Sequence, residues 1–279
     1  MSILYTIKKQ FKNNPLFWRN VINKGQTAKY NQLKEILDDE QSRIITDLKN
    51  NGCAFSHIDV LFKGNPLWNE LQKAIEDLEK SKEEFINKSK ANVNNVNEIN
   101  EKSFMLFLID PLVKDKTSIW WRFGIDISLR KIANAYFKMP ADLRYYNVWH
   151  TIPFDGEAKT SQLWHRDRED LQILKIFVYL TDVTDGAGPF TYAPGTHILG
   201  SVKSEPEYTL EEGVKRTSDE QMNVLVGKDK WIKGTVPAGT IAFADTHGYH
   251  KGGLARTDDR LLYTCMYTSP GCERHYFGK

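Results

Sequence analysis

Residues 163–183 read LWHRDREDLQILKIFVYLTDV. From Leu174 onward this is an apolar run of strand length, rich in β-branched and aromatic residues, in which Lys175, Phe177 and Tyr179 alternate with Leu174, Ile176 and Val178. Runs of the same texture recur at RYYNVWHTI (144–152), PFTYAPGTH (189–197), GTIAFADT (239–246) and LLYTCMYT (261–268), separated by Gly, Pro and Asp. Upstream of about Leu143 the pattern has a helical period. It predicts a helix through YNQLKEILDDEQSRIITDLKNNG (30–52) with its stop at Asn51-Gly52, a second opened by Pro66, and a third through SIWWRFGIDISLRKIANAYF (118–137). Helices first and many short strands later predict a mainly β protein with α, a sandwich or barrel braced by N-terminal helices.

The 279 residues are expected to form one domain, with 1–140 mainly helical support and 141–279 the core. NKSKANVNNVNEINEKS (87–103) is expected to be a solvated loop or flap, and residues 201–230 a polar, lid-like insertion with a helix from Ser218. Lys and Arg number 38 against 36 acids, so a net charge of +2 gives no reason to propose nucleic acid or an anionic membrane as partner. No stretch approaches a membrane span. Three cysteines without a CxxC pair fit a reduced cytoplasmic setting and exclude structural zinc by cysteine.

The polar half of the opening stretch carries the chemistry. In an extended chain residues two apart share a face, so His165 and Asp167 can aim a ring nitrogen and a carboxylate oxygen at one point. A third ligand must come from elsewhere, and GTIAFADTHGYHKGGLARTDDR (239–260) offers His247 and His250 at the end of an apolar strand. Two histidines and one carboxylate leave open coordination positions, the arrangement of non-haem Fe(II) oxygenases rather than of closed zinc sites. Arg260 carries a fork of donors suited to bidentate capture of a carboxylate.

SQLWHRDRED, YLTDVTDGAGPFTYAPGTH and GTIAFADTHGYHKGGLARTDDR together resemble the phytanoyl-CoA dioxygenase family of Fe(II)- and 2-oxoglutarate-dependent oxygenases. The resemblance implies a double-stranded β-helix, the cupin-like jelly roll. It implies His165, Asp167 and His250 as iron ligands, His250 being preferred to His247 because Lys251-Gly252-Gly253 follows it. Arg260 then takes the distal carboxylate of 2-oxoglutarate, and Arg256 is the poorer anchor. Lys175, Gln162 and Asn147 are further candidates for co-substrate binding, each with a structural reading beside it; for Lys175 that is a partner aspartate. Trp149, Trp164 and Tyr146 are candidate pocket aromatics, and His197 in the Pro-Gly-Thr-His turn is read as structural. No catalytic residue is expected beyond the metal ligands.

The implied reaction consumes 2-oxoglutarate and O2, releases succinate and CO2, and oxidises a C–H bond, by default to an alcohol. An aspartate at 167, where related halogenases carry a small residue, argues against halogenation. No basic cluster suited to a CoA nucleotide stands out, which favours a free small molecule bearing a carboxylate or an amine. Rival readings are a cupin-like metalloenzyme without 2-oxoglutarate, a non-catalytic metabolite-binding barrel, and a peptide hydroxylase. The sequence carries no signal for oligomeric state.

Overall fold

The computed structural model describes residues 14–33, 35–93, 101–110, 114–211 and 213–273. Six antiparallel strands form the larger sheet, in the order β1 (Cys53–His57), β9 (Thr240–Asp245), β4 (Leu174–Tyr179), β11 (Arg260–Thr268), β3 (Asp142–Thr151) and β2 (Met105–Phe107). A smaller sheet orders β10 (His250–Lys251), β5 (Thr191–Tyr192) and β8 (Ile232–Lys233). The two sheets face each other as the jelly roll requires, so the predicted mainly β core with N-terminal helical support is the observed fold.

Register sorts the side chains of the large sheet. Arg260 pairs Thr151, Leu262 pairs Trp149 and Tyr179, Thr264 pairs Asn147 and Phe177, and Met266 pairs Tyr145 and Lys175. Directly opposed residues share a face, so these line the barrel interior. Leu261, Tyr263, Cys265 and Tyr267 alternate to the other face and join the helices in the main apolar core, with Ile44, Leu48, Phe123, Ile132 and Phe137. Tyr146, paired with Cys265, belongs to that outer face and meets Trp121 edge-on at 6.4 Å, so it packs helix on sheet and lines no pocket.

The helical support departs from the sequence pattern at three places. The expected 30–52 helix is two, Lys24–Leu33 and Asp39–Asn51, because Asp38 caps the second: its carboxylate accepts from Gln41 N at 2.8 Å while Gln41 Oε1 accepts from Asp38 N. Leu33 and Ile36, apolar residues of the predicted 30–52 helix, are exposed. The 118–137 helix is likewise divided, Ile119–Gly124 and Ile127–Phe137, with Asp126 capping the second. The helix opened after Pro66 runs from Leu67 to Asn92, so Asn87–Asn92 is helix rather than loop. Residues 94–100 of the Asn-rich segment lie outside the described residues.

The 201–230 insertion has secondary structure of its own. It holds a hairpin of β6 (Thr209–Glu211) and β7 (Val214–Arg216), then a helix, Asp219–Leu225. Met222 and Val226 are buried with Trp164 and Tyr249, and Trp231 packs beside them. The second half of the insertion therefore packs on the outer side of the small sheet through apolar burial.

Candidate metal centre

His165 and His250 come from different sheet segments and are held side by side by a backbone bridge, each N–H donating to the other's carbonyl at 3.0 Å. Their rings lie 4.3 Å apart, centroid to centroid. Each ring spends its Nδ1 on a carbonyl two residues earlier, His165 on Leu163 O (2.8 Å) and His250 on Gly248 O (3.0 Å). A carbonyl can only accept, so Nδ1 carries the proton and Nε2 keeps its lone pair for a metal. Asp167 N donates to Thr246 O at 2.9 Å, which ties the second ligand of the HxD pair to the loop leading to His250.

Ligand atoms of His165, Asp167 and His250 all fall within 4.8 Å of one another, which makes this group a metal-binding candidate among the described residues. Burial lowers the pKa of both imidazoles and keeps them neutral, with His250 adding to the effect on His165. Burial pushes the Asp167 carboxyl the other way, but Lys175 and the two histidines outweigh it and hold the group well below the usual carboxylate range. All three donors are thus in the protonation state that a divalent cation needs.

Lys175 reaches this cluster: its Nζ lies 2.7 Å from Asp167 Oδ2, an ion pair. The structural partner weighed for Lys175 is thus Asp167, the carboxylate of the triad. Arg260, 5% exposed, donates from Nη1 to Gly188 O and from Nη2 to Thr151 Oγ1 (3.4 Å), while its Nε has no partner. A Cβ on Gly252, two residues past His250, would stand 3.9 Å from Arg260 Nη2, which locates the guanidinium beside the segment that follows His250. Gln162 is joined to the same place because Gly252 N donates to Ser161 O (2.9 Å), and its buried Nε2 has no partner.

Asn147 lies on the interior face but exchanges hydrogen bonds with the backbone of Ile109, at 2.9 and 3.4 Å, so the amide already holds that segment. His247 is turned to Asp170 O (3.2 Å) and His197 to Lys49 O (3.1 Å), both outside the triad. Arg256 donates to Phe154 O and is no part of the cluster. Of the three aromatics, Trp149 faces the interior, whereas Trp164 lies on the outer side of the small sheet with Trp231 at 4.7 Å. Sequence reading missed two residues here: Asp219, which binds both Trp164 Nε1 (2.8 Å) and Lys251 Nζ (2.5 Å), and Arg216 on β7. Neither stands in an apolar pattern that would have announced it.

The orphaned Nε of Arg260 and Nε2 of Gln162 are buried donors on segments that meet at Gly252, two residues past His250. Buried donors left unpaired are costly, and a ligand with two carboxylates satisfies them. The residues present therefore fit ferrous iron together with 2-oxoglutarate.

A jelly roll with two histidines and a carboxylate at its mouth and a buried arginine nearby defines a non-haem iron oxygenase. The phytanoyl-CoA dioxygenase family model matches residues 69–261, and the chain belongs to that family. By class it is an iron(II)- and 2-oxoglutarate-dependent dioxygenase. Similar crystal structures include the epimerase SnoN, solved with Fe3+, alpha ketoglutarate and nogalamycin RO (TM-score 0.55, 15% identity, 82% of this chain and 84% of that one). EctD from S. alaskensis with bound Fe follows at 0.54 (16% identity, 88% and 84% covered), and AviO1 from Streptomyces viridochromogenes Tue57 at 0.52 (15% identity, 87% and 100%). At these identities the likeness bears on the fold alone. None of the curated proteins matches the chain.

Proposed function

We propose that His165, Asp167 and His250 hold the iron, that Arg260 anchors the distal carboxylate of 2-oxoglutarate with Gln162 beside it, and that the enzyme oxidises a C–H bond of a small molecule. The observation that carries this reading is the pair of Nε2 lone pairs converging with Asp167 within 4.8 Å while Arg260 is buried two residues' reach away at Gly252. Bound ferrous iron supplies the redox centre at which 2-oxoglutarate and O2 are converted to succinate and CO2 while one oxygen atom goes to the substrate. The chain's own part is to keep both imidazoles neutral, to hold Asp167 ionised, and to neutralise the co-substrate's distal carboxylate on a desolvated arginine. Phe177 and Phe190, 5.1 Å apart with Phe190 5.7 Å from His250, keep water from the metal's inner side.

The single oxygenase domain and a reduced, cytoplasmic setting belong to the same proposal; the cysteines Cys53, Cys265 and Cys272 are all free and buried. Among the described residues no helix is long and apolar enough to cross a membrane.

Anaerobic addition of Fe(II) and 2-oxoglutarate should produce a visible metal-to-ligand charge-transfer band in wild type that is lost in His250→Ala and at least tenfold weaker in 2-oxoglutarate affinity in Arg260→Ala. Bound iron without a band in wild type would move the activity to a cupin-like metalloenzyme that uses no 2-oxoglutarate.

A further inference from the structure

The HxD segment has two faces, and the metal centre uses one of them. His165 and Asp167 share the inner face, so Arg166 between them turns outward, where it meets Tyr249 of the cluster that holds Trp164. On that outer side a cavity of about 150 Å³ opens between Arg166 and His247 on one hand and the loop of residues 196–203 on the other. A cavity of that size has room for about six non-hydrogen atoms. Its rim is tied in place: Gly195 N donates to Asn51 O at 3.0 Å, Val202 N to Gly195 O at 2.9 Å, and Lys203 Nζ to Ile198 O at 2.8 Å.

Arg166 is held ready at this cavity without an acid to hold it. Its guanidinium lies 4.1 Å over the Tyr249 ring, and Nη2 donates to Thr196 O at 2.8 Å. Tyr249 is itself fixed, buried and donating from its N to Thr196 Oγ1 at 2.8 Å. An aromatic face and a carbonyl thus set the plane of the fork. Among the described residues Arg166 forms no ion pair; Nε is buried without an acceptor, and Nη1 has none either. Glu205, whose carboxylate feels Arg166, is engaged by Lys215 Nζ at 2.5 Å. Lys203, exposed at the rim, uses a single hydrogen of its ammonium on Ile198 O and keeps the others. His247 brings the opposite polarity. Its Nδ1 faces Asp170 O at 3.2 Å and so carries the proton, while Nε2 holds a lone pair that meets no donor among the described residues. Ile198 and Val202 add apolar surface to the same cavity.

We propose that this cavity is a ligand site distinct from the metal centre, and that it takes a small hydroxy acid as its anion. Arg166 Nη1 and Lys203 Nζ hold the carboxylate, His247 Nε2 accepts from the hydroxyl, and Ile198 and Val202 cover the carbon chain. The HxD strand itself separates this ligand from His165 and Asp167, so the molecule bound here is not the one oxidised. No residue of the site belongs to the triad or to the Arg260 region, so it stands or falls apart from the iron–2-oxoglutarate reading. An occupant joins the HxD segment and the turn before His250 to the 196–203 loop, and therefore raises the melting temperature as it binds.

Isothermal titration of the metal-free full chain with lactate, propionate, methyl lactate and inorganic phosphate tests the site. Lactate binds about tenfold more tightly than propionate, which lacks the hydroxyl, and than methyl lactate, which lacks the charge. Lys203→Gln and Arg166→Lys each weaken lactate several-fold, and His247→Phe removes the preference for lactate over propionate. Arg260→Ala, altered in the barrel interior, binds lactate as wild type does. Should Arg166→Lys fail to fold, Lys203→Gln on the exposed rim decides alone. No lactate binding to wild type, equal binding of lactate and either analogue, or unchanged affinity in Lys203→Gln overturns the proposal. Affinity lost in Arg260→Ala and kept in Lys203→Gln overturns it by assigning the acid to the interior. Phosphate bound in preference to lactate overturns it in favour of an inorganic oxyanion site.

Discussion

An ammonium 2.7 Å from Asp167 Oδ2 competes with any cation that the carboxylate binds. Lys175 stabilises the ionised carboxylate when no metal is present and opposes a divalent ion when one arrives, since like charges in a buried site are weakly screened. Lys175→Met should therefore tighten Co(II) or Fe(II) binding in the absence of 2-oxoglutarate by about tenfold, equivalent to ~1.4 kcal/mol, measured by competition with a chromogenic chelator. Unchanged or weaker affinity would make Lys175 a support for the ligand instead. The three residues that cluster were legible in the sequence as candidates, because HxD needs only the period of an extended chain and the family resemblance prefers the histidine followed by Lys251-Gly252-Gly253. The partner of Lys175 was not decidable, because an interior lysine can meet a substrate acid, 2-oxoglutarate or an aspartate, and only the fold brings Asp167 to it.

At the scale of elements, the insertion is bound to the metal centre through Asp219. Its Oδ1 accepts from Trp164, which precedes His165, and pairs with Lys251, which follows His250. Asp219→Ala should release the start of the Asp219–Leu225 helix from both segments, with a several-fold loss of Co(II) affinity and faster proteolytic cutting between 203 and 230; unaltered cutting and affinity would leave Asp219 as a mere surface acid. Sequence periodicity could not show this, because the insertion is polar and its anchoring residues, Thr217 and Asp219, carry no alternation. Periodicity also overran helix ends at Leu33 and Gly124, where capping by Asp38 and Asp126 decides the break, and it stopped short at Asn87, where the helix continues to Asn92.

For the molecule as a whole, Asp245 joins the layers. Its buried carboxylate accepts from Tyr136 OH on the Ile127–Phe137 helix (2.7 Å), from Ile173 N before β4 (3.3 Å) and from His247 N in the turn to His250 (3.1 Å). Burial raises its pKa to about 6 against the opposing pull of those donors. A carboxyl raised above its unfolded value contributes stability that is complete below about pH 4 and lost as pH rises through about 6; a shift of that size is worth about 3 kcal/mol. His197 and His247, lowered by burial to about 4, act oppositely and lose their contribution as pH falls from about 6.5 through about 4. Asp245→Asn should thus gain stability relative to wild type as pH rises from 5 to 8, by urea unfolding of the metal-free protein; a difference independent of pH would sink the assignment.

The hydrogen-bonded bridge between His165 and His250 spans 85 positions (250 − 165 = 85) and is flanked by strands paired out of chain order. A growing polypeptide therefore owns no complete ligand set until the ribosome has passed His250, and an emerging chain that has exposed only the HxD segment offers a metal two donors with no partner. With the proposed ligand set, all three donors can hold a metal only once His250 has been synthesised and has paired with His165.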